Sequence, residues 1–224
     1  KGELDAVSGL SSNDFDVEAV NPDMYVTNDP GWTTFGLKMN TQKGYTKDIN
    51  IRKAICYAFD YPATIKIYNG RAILEDSPFP KGMKGYIPCP NVYRQDMMKA
   101  KEYLAKSAYP NGGFELEYVY VSGLEEERLI GLVLLDNLAQ LGIKLNMVPL
   151  VWPNMVARAS KIETSPDLTA VFTTPILNDP DVVAVQYHKM SWGKYYGSHF
   201  YQNEKLWDLI EKARFTPDWK IREK

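Results

Sequence analysis

The clearest periodic pattern in the chain lies between Asp48 and Phe59. Ile51, Ala54, Ile55, Ala58 and Phe59 recur at the spacing of one apolar stripe on an α-helix. Asp48 stands where a helix needs an oxygen to accept from its first free amides. Asp60 holds the same place before a second short helix over 61–68, which Asn69-Gly70 stops. Ahead of these, Trp32 to Asn40 reads as a strand, after the turn signal Asp29-Pro30-Gly31. Residues 1–30 read as a short strand over 4–7, a helix over 15–20 and a strand over 24–27.

Further along, Pro78, Pro80, Pro88 and Pro90 bracket a long extended loop, and a helix follows over 95–107. Glu115 and Glu117 alternate with Phe114, Leu116 and Tyr118, the period of a strand over 114–121. A long, mostly buried helix over 124–141 closes at Gly142, and 143–150 reads as a strand. A helix over 153–161, a strand over 167–173 and a helix opened by Asn178-Asp179-Pro180-Asp181 come next. Residues 191–201 are aromatic and loop-like, 203–215 is an amphipathic helix, and Thr216-Pro217 opens the last one. Strands alternating with helices predict an α/β lobe built on a mixed sheet.

Composition narrows the function. With 26 basic and 28 acidic residues the formal charge is −2, which gives no electrostatic case for nucleic acid or an anionic membrane surface. The longest greasy run, 129–135, is broken by Gly131 and falls far short of the roughly 18 apolar residues of a membrane span. Neither end has the style of a natural terminus, so a piece of a longer chain is expected, and no signal peptide is visible. Cys56 and Cys89 pair or stay as a buried thiol and a loop thiol; the sequence leaves both open. His188 and His199 lack cysteine neighbours at zinc spacing, so neither a metal nor another cofactor is expected.

Catalytic patterns are missing. There is no glycine-rich phosphate loop, no Gly-x-Ser-x-Gly elbow and no cysteine with a histidine base in view. Asp179 and Asp181 flank a proline at a helix start, where carboxylates satisfy free amides and favour the dipole. Glu125, Glu126 and Glu127 read as an acidic first turn with a solvated face. The chain is therefore not expected to be an enzyme.

Four segments resemble one family. Lys1-Gly-Glu-Leu-Asp-Ala-Val7, Phe35-Gly-Leu-Lys-Met-Asn40, Asn50-Ile-Arg-Lys-Ala-Ile-Cys-Tyr-Ala-Phe-Asp60, and Asn178-Asp-Pro-Asp181 with a helix ending near Ala213-Arg214 occur in order. They are similar to segments of the large solute-binding proteins of peptide- and nickel-type ABC importers. The resemblance implies a two-lobed clamp of the periplasmic-binding-protein kind. Residues 1–30 would end a first-lobe segment and form the hinge, and 31–224 would be the second, ligand-binding lobe. The partners implied are a peptide, saccharide or similar small ligand and an ABC permease, with a periplasmic or extracellular, membrane-associated location. The ligand domain of a sensor or chemoreceptor on the same fold is the alternative.

The resemblance also names candidate contacts. Trp152 follows a strand and precedes a helix, where peptide-binding relatives have a pocket tryptophan; packing in the core or hinge is its other reading. Those relatives hold the peptide's α-ammonium with an aspartate three residues after a tryptophan. The matching positions here are Thr173 and Ile176, and no acid lies between Asp167 and Asp179. A buried ammonium without a partner charge is costly. Thr173, Thr174 and the face of Trp152 therefore suit an uncharged polar ligand such as a saccharide, or a ligand held mainly by the other lobe. Arg158, at helical spacing from Trp152, either meets an anionic ligand or is solvated. The aromatic stretch 191–201 either forms a binding surface or folds onto its own lobe, with His199 expected at the surface.

Overall fold

A computed structural model describes residues 5–6, 14–16, 21, 23–25 and 31–223. Most of the elements expected within 1–30 lie outside the described residues; 14–16 are helical, and Met24 and Tyr25 are in no regular element.

The sheet has four strands: β1 (Thr34–Met39), β2 (Glu115–Val121), β3 (Lys144–Leu150) and β4 (Leu168–Thr173), in the order β1-β4-β2-β3. β2 runs parallel to β3 and β4, while β1 lies antiparallel on β4, with Thr34 opposite Thr173 and Met39 opposite Leu168. The expected α/β lobe with a mixed sheet is thus the observed architecture. Because side chains alternate along a strand, Leu116, Tyr118, Leu168 and Ala170 share one face with Phe35 and Leu37.

That face is covered by α1 (Ile49–Ala58), α2 (Tyr61–Ile67), α3 (Met97–Ala105) and α4 (Glu125–Ala139). The stripe foreseen on α1 is buried: Ile51, Ala54, Ile55 and Ala58 join Ile130, Leu134 and Leu138 of α4 in one core. Each large aliphatic chain so buried contributes about 1.5–3 kcal/mol. Asp48 and Asp60 cap α1 and α2 as expected, accepting from Asn50 and Ala63 at 2.7 and 2.9 Å. Gly131 lets α4 lie close on the sheet, since a Cβ there would come within 2.6 Å of both Tyr118 and Met147. The opposite face receives α5 (Trp152–Ala159) and a run of 3-10 turns over 185–197, and α7 (Glu204–Arg214) packs on the short α6 (Asp181–Ala184). A last short helix, α8, spans Trp219–Arg222.

Asn40, at the end of β1, is fully buried and ties the two sides together. Its amide nitrogen donates to the carbonyls of Ile162 and Ser165, and its side-chain oxygen accepts from the Gln42 amide at 3.0 Å. Its own carbonyl accepts from the Thr46 hydroxyl at 2.7 Å, and Arg52 of α1 donates to the carbonyls of Thr46 and Lys47.

Three expectations are corrected, and one open question is answered. Glu127 is not on a solvated face: it is 1 % exposed, and its carboxylate accepts from the Val121 amide at 2.7 Å. Burial pushes its carboxyl up to about 7. His199 is buried, not at the surface. Its Nδ1 accepts from the Tyr201 amide, which places the proton on Nε2 facing the Gln186 carbonyl, and burial lowers its pKa to about 4. The last helix is capped by Asp218, not by Thr216-Pro217. The pairing question for Cys56 and Cys89 resolves as two free thiols.

Candidate ligand-binding site

Parallel β2, β3 and β4 end together, and antiparallel β1 begins at the same place, so Val121, Leu150, Thr173 and Thr34 mark one end of the sheet. The carboxyl ends of parallel strands leave a crevice where the connections diverge, the usual ligand position in α/β sheets. Trp152 opens α5 directly after β3. Trp152 is 46 % exposed and its ring meets Tyr195 edge-on at 4.8 Å, so it stands at this end and not in the core.

Two threonine pairs stand across the β1–β4 junction. The hydroxyls of Thr34 and Thr173 lie 2.9 Å apart, and those of Thr33 and Thr174 also 2.9 Å. A hydroxyl carries one proton and two lone pairs, so the Thr33–Thr174 pair uses one proton internally and keeps another to donate, while the Thr34 hydroxyl also meets the Thr173 carbonyl at 3.5 Å. Ile176 and Leu177 follow, 85 % and 60 % exposed. The structure therefore brings Thr173 and Thr174 to the sheet end that also carries Trp152, with Ile176 just beyond them.

Arg158 is not brought to that end. It sits near the far end of α5 and forks onto Glu117 of β2 at 2.9 and 2.6 Å. The guanidinium is a link between helix and strand, and an anion would have to displace Glu117 to reach it. The aromatic stretch mostly folds inward: Phe200 is buried, and Trp192 packs edge-on against Phe200 and Trp207 at 5.9 Å. Tyr195 is the exception, because it turns to Trp152.

Sequence reasoning missed a groove of about 690 Å3 beside the strand end. Its walls include Phe35 and Leu37 of β1, Ile55 and Phe59 of α1 and Ile130 of α4, and it shares Thr33, Thr34 and Phe172 with the strand end. Polar side chains interrupt the apolar wall, among them Tyr61, Thr64 and Tyr68 and, from the loop after α2, Arg71, Glu75 and Lys81. A mostly apolar volume of this size with polar groups set into it is ordinary for a small-molecule pocket. The sequence signal was present as the apolar residues of β1, but an edge strand with one uncovered side cannot be told from a covered one by pattern. Among the described residues, no cluster of His, Cys, Asp and Glu is arranged to hold a metal ion, and no helix is long and apolar enough to cross a membrane.

Comparison with known proteins places this geometry. The chain is similar to Heme-binding protein A of Haemophilus influenzae, with 29% identity over 149 residues that cover 64% of this chain and 27% of that protein. It is also similar to the ABC transporter-associated periplasmic binding protein DppA of Helicobacter pylori in complex with peptide STSA. The identity is 27% and the TM-score 0.86, over 96% of this chain and 42% of that one. The binding protein AgaA of A. tumefacien R10, in complex with agropinic acid, matches at 27% identity and TM-score 0.84, over 95% of this chain and 43% of its own. A mixed sheet of this order, helices on both faces and an aromatic strand end thus define a lobe of the periplasmic-binding-protein class. The chain belongs to the bacterial extracellular solute-binding proteins, family 5 Middle, whose model matches residues 1–195. It spans less than half the length of each of these three relatives.

Proposed function

We propose that this chain is a ligand-capturing lobe of an extracytoplasmic solute-binding protein that delivers its cargo to an ABC permease. Residues 31–224 act as that lobe, and 1–30 lead to it from the other lobe and the hinge. What supports the reading is that Trp152, Thr173 and Thr174 stand at the same end of the sheet, next to a mostly apolar groove lined by Thr33, Thr34 and Phe172. An aromatic face, a spare hydroxyl donor and an adjoining apolar space suit a ligand with a polar, uncharged part and an apolar part.

The same end offers no carboxylate at Thr173 or Ile176 to neutralise an ammonium, and Ile176 presents a hydrocarbon surface there. Leaving a charge unpaired in a closed cleft costs several kcal/mol. A saccharide-like or otherwise uncharged solute is therefore favoured over a peptide held by its free amino terminus. Arg158 has no part in this reading, because Glu117 already engages it.

A thermal-shift screen of the whole protein tests the proposal, with di- and tripeptides, mono- and disaccharides, opines and nickel chelates. A ligand present at a thousand times its Kd stabilises the native state by about 4 kcal/mol. A shift with uncharged polar solutes and none with free peptides is expected. A strong shift with short peptides overturns the assignment made from Thr173 and Ile176, and no shift with any compound overturns the capture role.

A further inference from the structure

Residues 174–178 leave the sheet in no helix or strand, yet they carry the exposed Ile176 and Leu177. A segment with so little of its own packing keeps one conformation only when its ends are held. One end is held by the Thr33–Thr174 hydroxyl contact at 2.9 Å. The other end, 178–181, is gripped from three directions by parts of the chain remote in sequence.

The Lys84 amide donates to the side-chain oxygen of Asn178 at 2.8 Å. Arg222 places its two terminal nitrogens on the two oxygens of Asp179, at 2.8 and 2.6 Å. Arg214 donates from Nε and Nη2 to Asp181 at 3.1–3.2 Å. Pro180, between the two aspartates, lies against Gly85, where an added Cβ would come 3.2 Å from the proline ring; Gly85 also has φ +83, which a side chain would strain.

α8 makes the arrangement pointed. It has four residues and none of them is buried, so neither its own hydrogen bonds nor a core accounts for its presence. The Arg222 side chain is nevertheless only 13 % exposed, laid on Asp179. Trp219, one turn earlier, lies 5.3 Å from the Lys84 ammonium and 5.9 Å from the Arg222 guanidinium, so the loop and the helix meet over the same spot. Two parallel N–H···O bonds from a planar fork fix direction as well as distance, which a lysine does not do.

From this geometry we infer that Arg222 and Arg214 are positioning residues: acting through Asp179 and Asp181, they hold residues 174–178 in the conformation that presents Ile176 and Leu177 to the ligand. The word ligand here rests on the function proposed above; the holding action does not.

The test uses the whole protein, with R222A, R214A and the charge exchange D179R/R222D. Backbone 15N order parameters of residues 176–178 are measured beside those of β2. In R222A and R214A they are expected to drop from about 0.85 to below about 0.6, with β2 unchanged. The exchanged pair is expected to recover part of the loss, and R222K is not. The affinity for STSA, agropinic acid and sucrose is measured on the same proteins, and a Kd raised about fivefold or more in R222A for whichever compound binds is expected. Unchanged order in both alanine variants overturns the inference. So does a loss of order that spreads through β2, which marks a general stability role. If residues 176–178 loosen but the unaltered protein binds none of the three compounds, the positioning role stands and the ligand reading fails.

Discussion

The carboxylate of Glu127 lies 2.7 Å from the amide of Val121, closing the turn between β2 and α4 from inside the core. The Tyr118 hydroxyl donates to the Glu127 carbonyl at 2.6 Å, so the start of α4 is tied to two residues of one strand. This buried acid and the buried His199 give the protein opposed pH dependences. The Glu127 carboxyl is raised from 4.5 to about 7, so its contribution to stability is whole below pH 4.5 and is lost as the pH rises through 7. His199 is lowered from 6.5 to about 4, so its contribution is whole above pH 6.5 and is lost as the pH falls through 4. Each amounts to about 3 kcal/mol at full extent. Urea midpoints of the unaltered protein are expected to vary little from pH 5 to 6.5. E127Q removes one slope, and its midpoint is expected to rise with pH across that window. A flat profile in E127Q would show that His199 is not held neutral.

Asn40 to alanine takes a partner from the buried Ser165 carbonyl and from the half-buried Ile162 carbonyl and Gln42 amide. Unsatisfied buried groups cost about 1–3 kcal/mol each. N40A is expected to lose at least about 2 kcal/mol in urea unfolding. A loss under about 0.5 kcal/mol would mean that the network relaxes freely.

Gly131 to alanine sets helix propensity against packing. Alanine favours a helix by about 1 kcal/mol over glycine. The new methyl meets the Tyr118 ring and the end of Met147 at 2.6 Å, and Tyr118 is fully buried and hydrogen-bonded. Overpacking of this kind costs about 1–3 kcal/mol, so net destabilisation is expected. Calorimetry decides it, and a raised Tm would show that α4 shifts outward without cost.

The two thiols differ in reactivity. Cys89 is exposed, whereas burial pushes the Cys56 thiol up to about 11. A thiolate is the reacting species, and Cys56 at pH 8 has on the order of a hundredfold less of it than an ordinary cysteine. Titration with a thiol reagent is expected to show one fast group, a second that reacts only on unfolding, and no need for prior reduction. Two fast groups would place Cys56 in open contact with water.

I176D puts a carboxylate where the strand end is hydrocarbon. Its side chain is exposed, so stability is expected to change by less than about 0.5 kcal/mol. In the whole protein, affinity for short peptides with a free amino terminus is expected to rise about tenfold or more, since a close opposite charge in a desolvated site is strongly favoured. Calorimetric titration with the tetrapeptide STSA checks this, and no gain would show that the ammonium does not approach residue 176.

The elements that were legible owe their order to neighbours a few residues away. Asp48 caps Asn50, Asp60 caps Ala63, and the stripe on α1 repeats within three turns. Such patterns are printed in a chain because the groups that satisfy each other are adjacent in it. The strands beyond residue 31 and their order in the chain followed from the same local periods. So did the placing of Trp152 at a strand end, since a helix start directly after β3 is a local event.

The rest depended on contacts between residues far apart in sequence. The Thr33–Thr174 pair spans 141 positions, the Arg158–Glu117 fork 41, and the Arg222–Asp179 fork 43. No local rule distinguishes an arginine that waits for a ligand from one already taken by a carboxylate on the next strand. Nor does an acidic first turn reveal that its third member will be folded under the helix onto a strand amide. Periodicity and capping act through the backbone within one or two turns, and these the amino-acid order specifies directly. Pairing, burial and the shape of the groove arise when separate elements close on one another and exclude water, and they exist only in the packed lobe.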